Sequence, residues 1–326
     1  MPHPIRVCLI TMLAVVALAA PAQAADKIRL AIQKTGSLAW ELDIIKGRGL
    51  DKAAGLELEI VELASPEAGK IALRGGSADM IVSDWLWVSR ERGLGADLVF
   101  APYSSTIGAV MVPGNSAIAG LAGLRGKKIG VAGGAIDKSW LMLLAYARRS
   151  GLDLKKDATP AFAAPPLLAE KALQGELDAS LNFWNLCADL EARGFKRLLS
   201  MDDVEKALGA KGPVAMLGYV FDGGFAAKNA GAITRFLKIT REAKEILAAS
   251  PEEWTKLAPR LGGRDEAALA IYRHRYAEGI PRRTVAEEEA DARILYNVLA
   301  ETGGAELVGT ATELDPGTFY KAKPGS

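Results

Sequence analysis

Acidic, hydroxyl and tryptophan side chains stand at the ends of short apolar runs along this 326-residue chain, a placement suited to non-covalent recognition of a small polar molecule. Gln33-Lys34-Thr35-Gly36-Ser37 follows one run and opens a helical segment. Gln33, the hydroxyls of Thr35 and Ser37 and the backbone N–H groups around Gly36 can meet a polar or anionic group, or cap the helix. Ser83-Asp84-Trp85 ends another run, where Asp84 can face a ligand or cap the next helix. Trp85 and Trp87 lie two apart, and Trp85 is expected at the cleft with its neighbour toward the core. Tyr103-Ser104-Ser105 can line the same mouth or form an ordinary turn. In the stretch from Gly133 to Trp140, Gly134, Asp137 and Trp140 are the candidates. That stretch is no phosphate loop, because Asp137 precedes Lys138 where glycine is needed and the GxGxxG spacing is absent. Asn182 and Trp184 end a later run, the indole able to stack on a flat ligand or a cation, or to pack. Asp222 closes YVFDGG. Three aspartates and three tryptophans with no arginine suit a polar ligand carrying an aromatic, amine or cationic part. Convergent carboxylates would also admit a metal ion or its chelate. Glu41 and Asp43 read as structural helix positions.

Other chemistry is excluded by scarcity. The opening MPHPIRVCLITMLAVVALAAPAQA sets Arg6 before an apolar stretch and ends in Ala22-Gln23-Ala24, a secretory signal peptide with cleavage expected after Ala24 and a periplasmic product. Its apolar stretch is too short to span a membrane. Without residues 1–24 the chain is formally neutral and keeps one histidine, His274, and one cysteine, Cys187. Neutrality gives no footprint for nucleic acid. A lone His with a lone Cys excludes the usual zinc arrangements and an internal disulfide, and Cys187 reads as a packed core residue. No cofactor is expected, and the chain is expected to be a monomer.

The elements that must position these residues alternate. Apolar strands at 28–32, 56–63, 78–83, 97–103, 109–113, 128–132 and 177–184 are separated by helical stretches such as Leu38 to Gly47, Pro66 to Arg74 and Ser139 to Arg149. Alternation of this kind predicts parallel α/β sheets, with ligands outside the carboxyl ends of the strands. From Ala230 the chain reads as helices, and the run Glu287 to Glu289 reads as a solvated helix face.

Several segments in order carry a resemblance. IRLAIQKTGSLAWELDIIKGRGLDKAAGLELEIVEL, IALRGGSADMIVSD, LAGLRGKKIGVAGG, ALQGELDASLNFW and FDGGFAAKNAGAITRFLKITREAKE resemble the nitrate, sulfonate, taurine and thiamine-pyrimidine-precursor group of ABC-transporter solute-binding proteins. The resemblance implies an α/β, two-lobe periplasmic-binding-protein fold of type II kind, with a hinge between lobes and a helical C-terminal portion on the first lobe. It places lobe 1 at 25–112 and 215–326 and lobe 2 at 113–214, with crossovers near Val112 to Asn115 and Gly212 to Leu217. It implies ligand capture by lobe closure and delivery to a permease and ATPase. Asp84 matches the family's ligand-contacting Asp, and Ser83 departs from its Gly. Trp184 matches a family tryptophan, with Asn185 and Leu186 departing from the Asp-Pro that follows it. Ala135 and Ile136 stand where the family carries hydroxyls for an oxyanion, which argues against sulfonate or nitrate. Enzymes sharing the fold use histidine and a pyridoxal phosphate on lysine, whereas His274 lies in the helical tail, so no enzyme is expected. An accessory or sensory protein that engages a partner is the other role such a fold can serve.

Overall fold

The computed structural model describes residues 25–33 and 36–322, so the expected signal peptide and Lys34-Thr35 lie outside the described residues. Strands β1 (Asp26–Gln33), β2 (Leu56–Leu63), β3 (Met80–Asp84) and β4 (Leu98–Ser104) build the first sheet. Strands β5 (Gly108–Pro113), β6 (Lys128–Ala132), β7 (Thr159–Ala163), β8 (Ala179–Phe183) and β9 (Phe195–Ser200) build the second, and β10 (Leu217–Asp222) returns to the first. Helices α1 (Ser37–Gly47) and α2 (Leu50–Ala53) follow β1, α3 (Pro66–Arg74) follows β2, and α4 (Trp85–Gly93) follows β3. In the second lobe α5 (Lys138–Arg149) and α6 (Leu154–Asp157) follow β6, α7 (Pro165–Leu173) follows β7, α8 (Trp184–Ala192) follows β8, and α9 (Met201–Leu208) follows β9. The chain continues past β10 as α10 (Gly223–Lys228), α11 (Ala230–Ala249), α12 (Pro251–Leu257), α13 (Glu266–Glu278) and α14 (Val285–Val308).

Local sequence explains why the helices begin where they do. Ser65 accepts from Ala68 N and is followed by Pro66 at the first helical position; Asp84 accepts from Trp87 N; Asp137 accepts from Ser139 N and Trp140 N. Each cap follows a strand, so the starts of α3, α4 and α5 lie at the carboxyl edges of the sheets. The alternation in LELEIVEL buries Leu56 and Leu58 and leaves Glu57 and Glu59 exposed, whereas β5 is buried through Val112 on both faces.

The sheet orders are β2-β1-β3-β10-β4 and β7-β6-β8-β5-β9. β10 runs antiparallel between β3 and β4, and β5 runs antiparallel between β8 and β9. The chain therefore first crosses at Ser105 to Ile107, before β5, rather than near Val112 to Asn115. The apolar run AVMV is a central strand of the second sheet, and Pro113-Gly114 merely ends it. The second crossover lies between α9 and β10.

The helical portion departs from expectation in what it covers. α11 packs on α1 and α2, but α13 packs on α8, and α14 packs on α4, α5 and α9, so two of the four long C-terminal stretches reach the second lobe. One buried cluster runs from Ile81 and Phe100 through Leu295 and Leu299 of α14 to Val110 and Val131 of the second sheet. The run at the start of α14 is not a solvated face. Glu287 forms a capping box with Thr284, Glu288 is buried and accepts from Ala215 N, and Glu289 pairs with Arg293 and Lys321.

Candidate functional site

A cavity of about 610 Å³ lies between the carboxyl edges of the two sheets. Its first-lobe wall carries Gln33, Gly36, Ser37, Trp40, Glu67, Lys70 and Asp84; its second-lobe wall carries Asp137, Lys138, Pro165, Phe183, Trp184 and Asn185. Thr106 and Ile107 of the first crossover close its back. Organic-ligand pockets have this size, and here an apolar and aromatic wall is combined with charged and polar groups from both lobes.

Asp84 is the pivot of the polar part. Its Oδ1 accepts from Trp87 N, and its Oδ2 accepts from Lys138 Nζ at 3.1 Å, so an ion pair joins the two lobes across the cleft. Burial alone would push the Asp84 carboxyl up, but the Lys138 charge and the Trp87 amide hold it below the usual range. Burial likewise opposes the Lys138 ammonium, yet Asp84 and Asp137 raise it, so both partners are charged. Burial pushes the Asp137 carboxyl up against the pull of Lys138 and the α5 amides. Lys70 lies 5.2 Å from the centre of the Trp87 ring.

Beneath the floor is a buried network. Ser37 Oγ and Tyr103 OH are hydrogen-bonded at 2.8 Å and line the cavity. Lys244 Nζ lies 3.8 Å over the Tyr103 ring and donates to Glu41 Oε1, which also accepts from Tyr276 OH at 2.6 Å. Burial lowers the Lys244 ammonium despite Glu41 and pushes the Tyr103 and Tyr276 phenols well up, so both phenols remain neutral. Glu41 is thus structural, as its helix position suggested.

The candidate residues divide sharply. Gln33, Gly36, Ser37, Asp84, Asp137 and Trp184 come together around the cavity. Trp85 does not: it is wholly buried in the core, and Trp87 is the partly exposed member of the pair. Directly after the cap, Trp85 is carried onto the packed face of α4. Trp140 is also buried, edge-on to Phe162. Ser104 lines a neighbouring crevice with Tyr276 and Gly279, and Ser105 N donates to Gly279 O. Gly134 falls outside the cavity wall. Asn182 is spent internally, donating to Pro165 O and accepting from Phe183 N. Asp222 caps α10 at the opposite edge, because β10 is antiparallel and its carboxyl end pairs with Leu98 at the start of β4. The three aspartates therefore do not converge, and among the described residues no group of three or more His, Cys, Asp or Glu is placed to hold a metal ion. Lys70, Lys138, Glu67, Phe183 and Asn185 were missed; Lys138 and Asn185 directly adjoin chosen residues, and Glu67 opens a helix after β2 by the rule used elsewhere.

Trp184 differs from a free stacking platform. It belongs to the second lobe yet packs against Trp40 at 5.7 Å, Tyr272 at 5.9 Å and Tyr276 at 6.3 Å. α8 is tied to the segment just before α13 by Asp189 to Arg264 at 2.6 Å, and to α13 itself by Glu191 to Arg275 at 2.5 Å. Cys187 is buried and its thiol is pushed up to about 12, as expected of a core residue. Among the described residues no helix is long and apolar enough to cross a membrane.

Comparison with solved structures places the fold. The periplasmic aliphatic sulphonate binding protein SsuA from Escherichia coli superposes with TM-score 0.70 at 21% identity, covering 91% of this chain and 94% of that one. The alkanesulfonate-binding protein SsuA from Xanthomonas axonopodis pv. citri, bound to MOPS, gives 0.66 at 19% identity, covering 91% and 99%. The desulfurization enzyme DSZB gives 0.59 at 15% identity, covering 90% and 96%, so one fold carries both binding and catalysis. No curated protein matches the sequence. The family model described as NMT1/THI5 like matches residues 46–254, well over half of the chain, and in agreement with the resemblance carried by its segments the chain belongs to that family.

Proposed function

We propose that the chain is the substrate-binding component of a periplasmic ABC importer, capturing a small polar organic ligand between its lobes and presenting the closed form to a permease and ATPase. The observation that carries this reading is the 610 Å³ cavity, whose walls come from both sheets and whose polar groups meet across it. Trp40, Phe183, Trp184 and Pro165 offer an aromatic and apolar wall for a flat or hydrocarbon body. Asp84 and Asp137 suit an amine or other cationic group, and Lys70 and Lys138 add a counter-charge that the residue types alone did not suggest. A binding role also agrees with the names borne by the two sulfonate-binding proteins of similar structure.

A thermal-shift panel of amines, sulfonates, pyrimidines, aromatic acids and metal ions tests this. A compound at 100 times its Kd stabilises the native state by about 2.7 kcal/mol, so a true ligand raises Tm by several degrees. The expected result is a shift from at least one organic member that is reduced in Asp84→Asn, which keeps an acceptor for Trp87 N but loses the ion pair. A panel without any shift contradicts the reading.

A further inference from the structure

The second crossover is held in an uncommon way. Every amide it offers between Lys211 and Ala215 donates to the carboxyl group of an acidic side chain. Lys211 N and Gly212 N donate to Asp291 Oδ2 at 2.8 and 3.2 Å, Val214 N donates to Glu205 Oε2 at 3.2 Å, and Ala215 N donates to Glu288 Oε2 at 2.7 Å. Pro213 has no amide; its carbonyl accepts from Arg283 Nη1, which also pairs with Asp291 at 2.8 Å. Glu205 comes from α9, Glu288 and Asp291 come from α14, and all three are buried. Among the described residues Glu205 Oε1 has no hydrogen-bond partner. The segment they grip is one of the two strands of chain along which the lobes must bend.

We propose that Glu205, Glu288 and Asp291 form a proton-dependent clamp on the second crossover, gripping it while Glu205 and Glu288 are protonated and releasing it as they ionise. This regulation of the cleft rests on the lobe-closure reading above, although the clamp itself is tested without ligand.

The charges facing the clamp set its sign. Asp202 of α9 faces Glu205, as do Glu288 and Asp291, and Glu287, Asp291 and Arg283 face Glu288. Lys206, Arg197 and Glu278 act on Asp202 at the margin. Arg283 is committed to Asp291, so ionising the two glutamates adds negative charge where the surrounding groups are mainly acidic. An orphaned Oε1 is tolerable on a neutral acid and costly on a buried carboxylate. The Val214 and Ala215 amides favour the ionised form, but burial outweighs them, pushing Glu288 up to about 7 and Glu205 well above its ordinary range. Both folded values lie above the unfolded ones. The gripped state is therefore fully favoured at acid pH and loses that advantage as pH rises, for Glu288 between about 4.5 and 7 and for Glu205 beyond its own usual range. If release restores Glu288 to its ordinary value, the gripped-to-released ratio falls about tenfold between pH 6 and pH 8.5 by linkage, and Glu205 adds to this.

Hydrogen exchange of the ligand-free protein, converted to protection factors at pH 6 and 8.5, reads the clamp directly at the amides of Lys211, Gly212, Val214 and Ala215. The expected result is a loss of protection of at least about tenfold at the higher pH, confined to these amides relative to the strands β6 and β8. Glu288→Gln keeps an acceptor but cannot ionise and should remove the roughly tenfold part that Glu288 contributes; Glu205→Gln should reduce the remainder and is the parallel variant should the first fail to fold. Protection that is independent of pH in the native chain, or equally pH-dependent in both variants, overturns the proposal. Either failure leaves ligand capture standing, since that is read by the thermal panel.

Discussion

Trp184 shows how a residue can be placed correctly and its role still be incomplete. It lines the cavity, as the strand-end rule suggested, but its ring is also wedged among Trp40, Tyr272 and Tyr276 of the other lobe. Removing it takes away interlobe packing as well as any ligand contact. Trp184→Ala should therefore cost about 3–5 kcal/mol of stability, visible as a lower chemical-denaturation midpoint, whereas Trp184→Phe should retain much of it. An alanine variant as stable as the parent would show that the indole is not a packing element. Asp84, Asp137 and Ser37 are readable because they lie at or soon after the ends of strands whose carboxyl edges border the cleft. Lys138 stands in the same loop, but nothing in the sequence shows that its ammonium reaches Asp84, 54 positions earlier. Asp222 failed for the opposite reason: its strand direction is a fact of topology, invisible in YVFDGG.

Strand and helix positions followed from pattern, and their partnerships did not. β2 and β6 occupy the expected spans 56–63 and 128–132, and α3 the expected Pro66 to Arg74, because periodicity and caps act locally. Pairing is non-local, and β5 illustrates the consequence. Its entry at Gly108 has φ of +147°, and a Cβ there would lie 2.0 Å from Asn182 O, so the first crossover can enter the second sheet at this point only with glycine. Gly108→Ala should separate β5 from β8 and lower Tm strongly, while Gly126→Ala, at a positive φ of 71° but with open space around it, should cost far less. Equal Tm losses in the two variants would show that backbone conformation, and not the approach to Asn182, decides. The acidic run in α14 is a second case of partnership hidden from pattern: three consecutive glutamates look solvated, yet one caps the helix, one holds the crossover and one pairs with basic side chains.

The whole molecule is two α/β lobes with a cleft between them and shared helices behind. α13 and α14 pack on both lobes, and the chain passes between the sheets at Ser105 to Ile107 and between α9 and β10, so the lobe closure proposed above would bend the chain at those two places. The cleft and the crossovers are thus parts of one device: the Asp84–Lys138 pair joins the lobes at the front, and the clamp of buried carboxyls governs the chain at the back. The central claim is that a small organic molecule occupies the 610 Å³ cavity, one per chain. Calorimetric titration of the panel's best compound into the native protein and into Asn185→Trp, which fills the cavity from a wall residue, tests it most directly. The account predicts saturable one-to-one binding to the native chain and a loss of at least about tenfold in affinity, roughly 1.4 kcal/mol, in a variant of unchanged Tm; equal affinity in both would place the ligand elsewhere and contradict it.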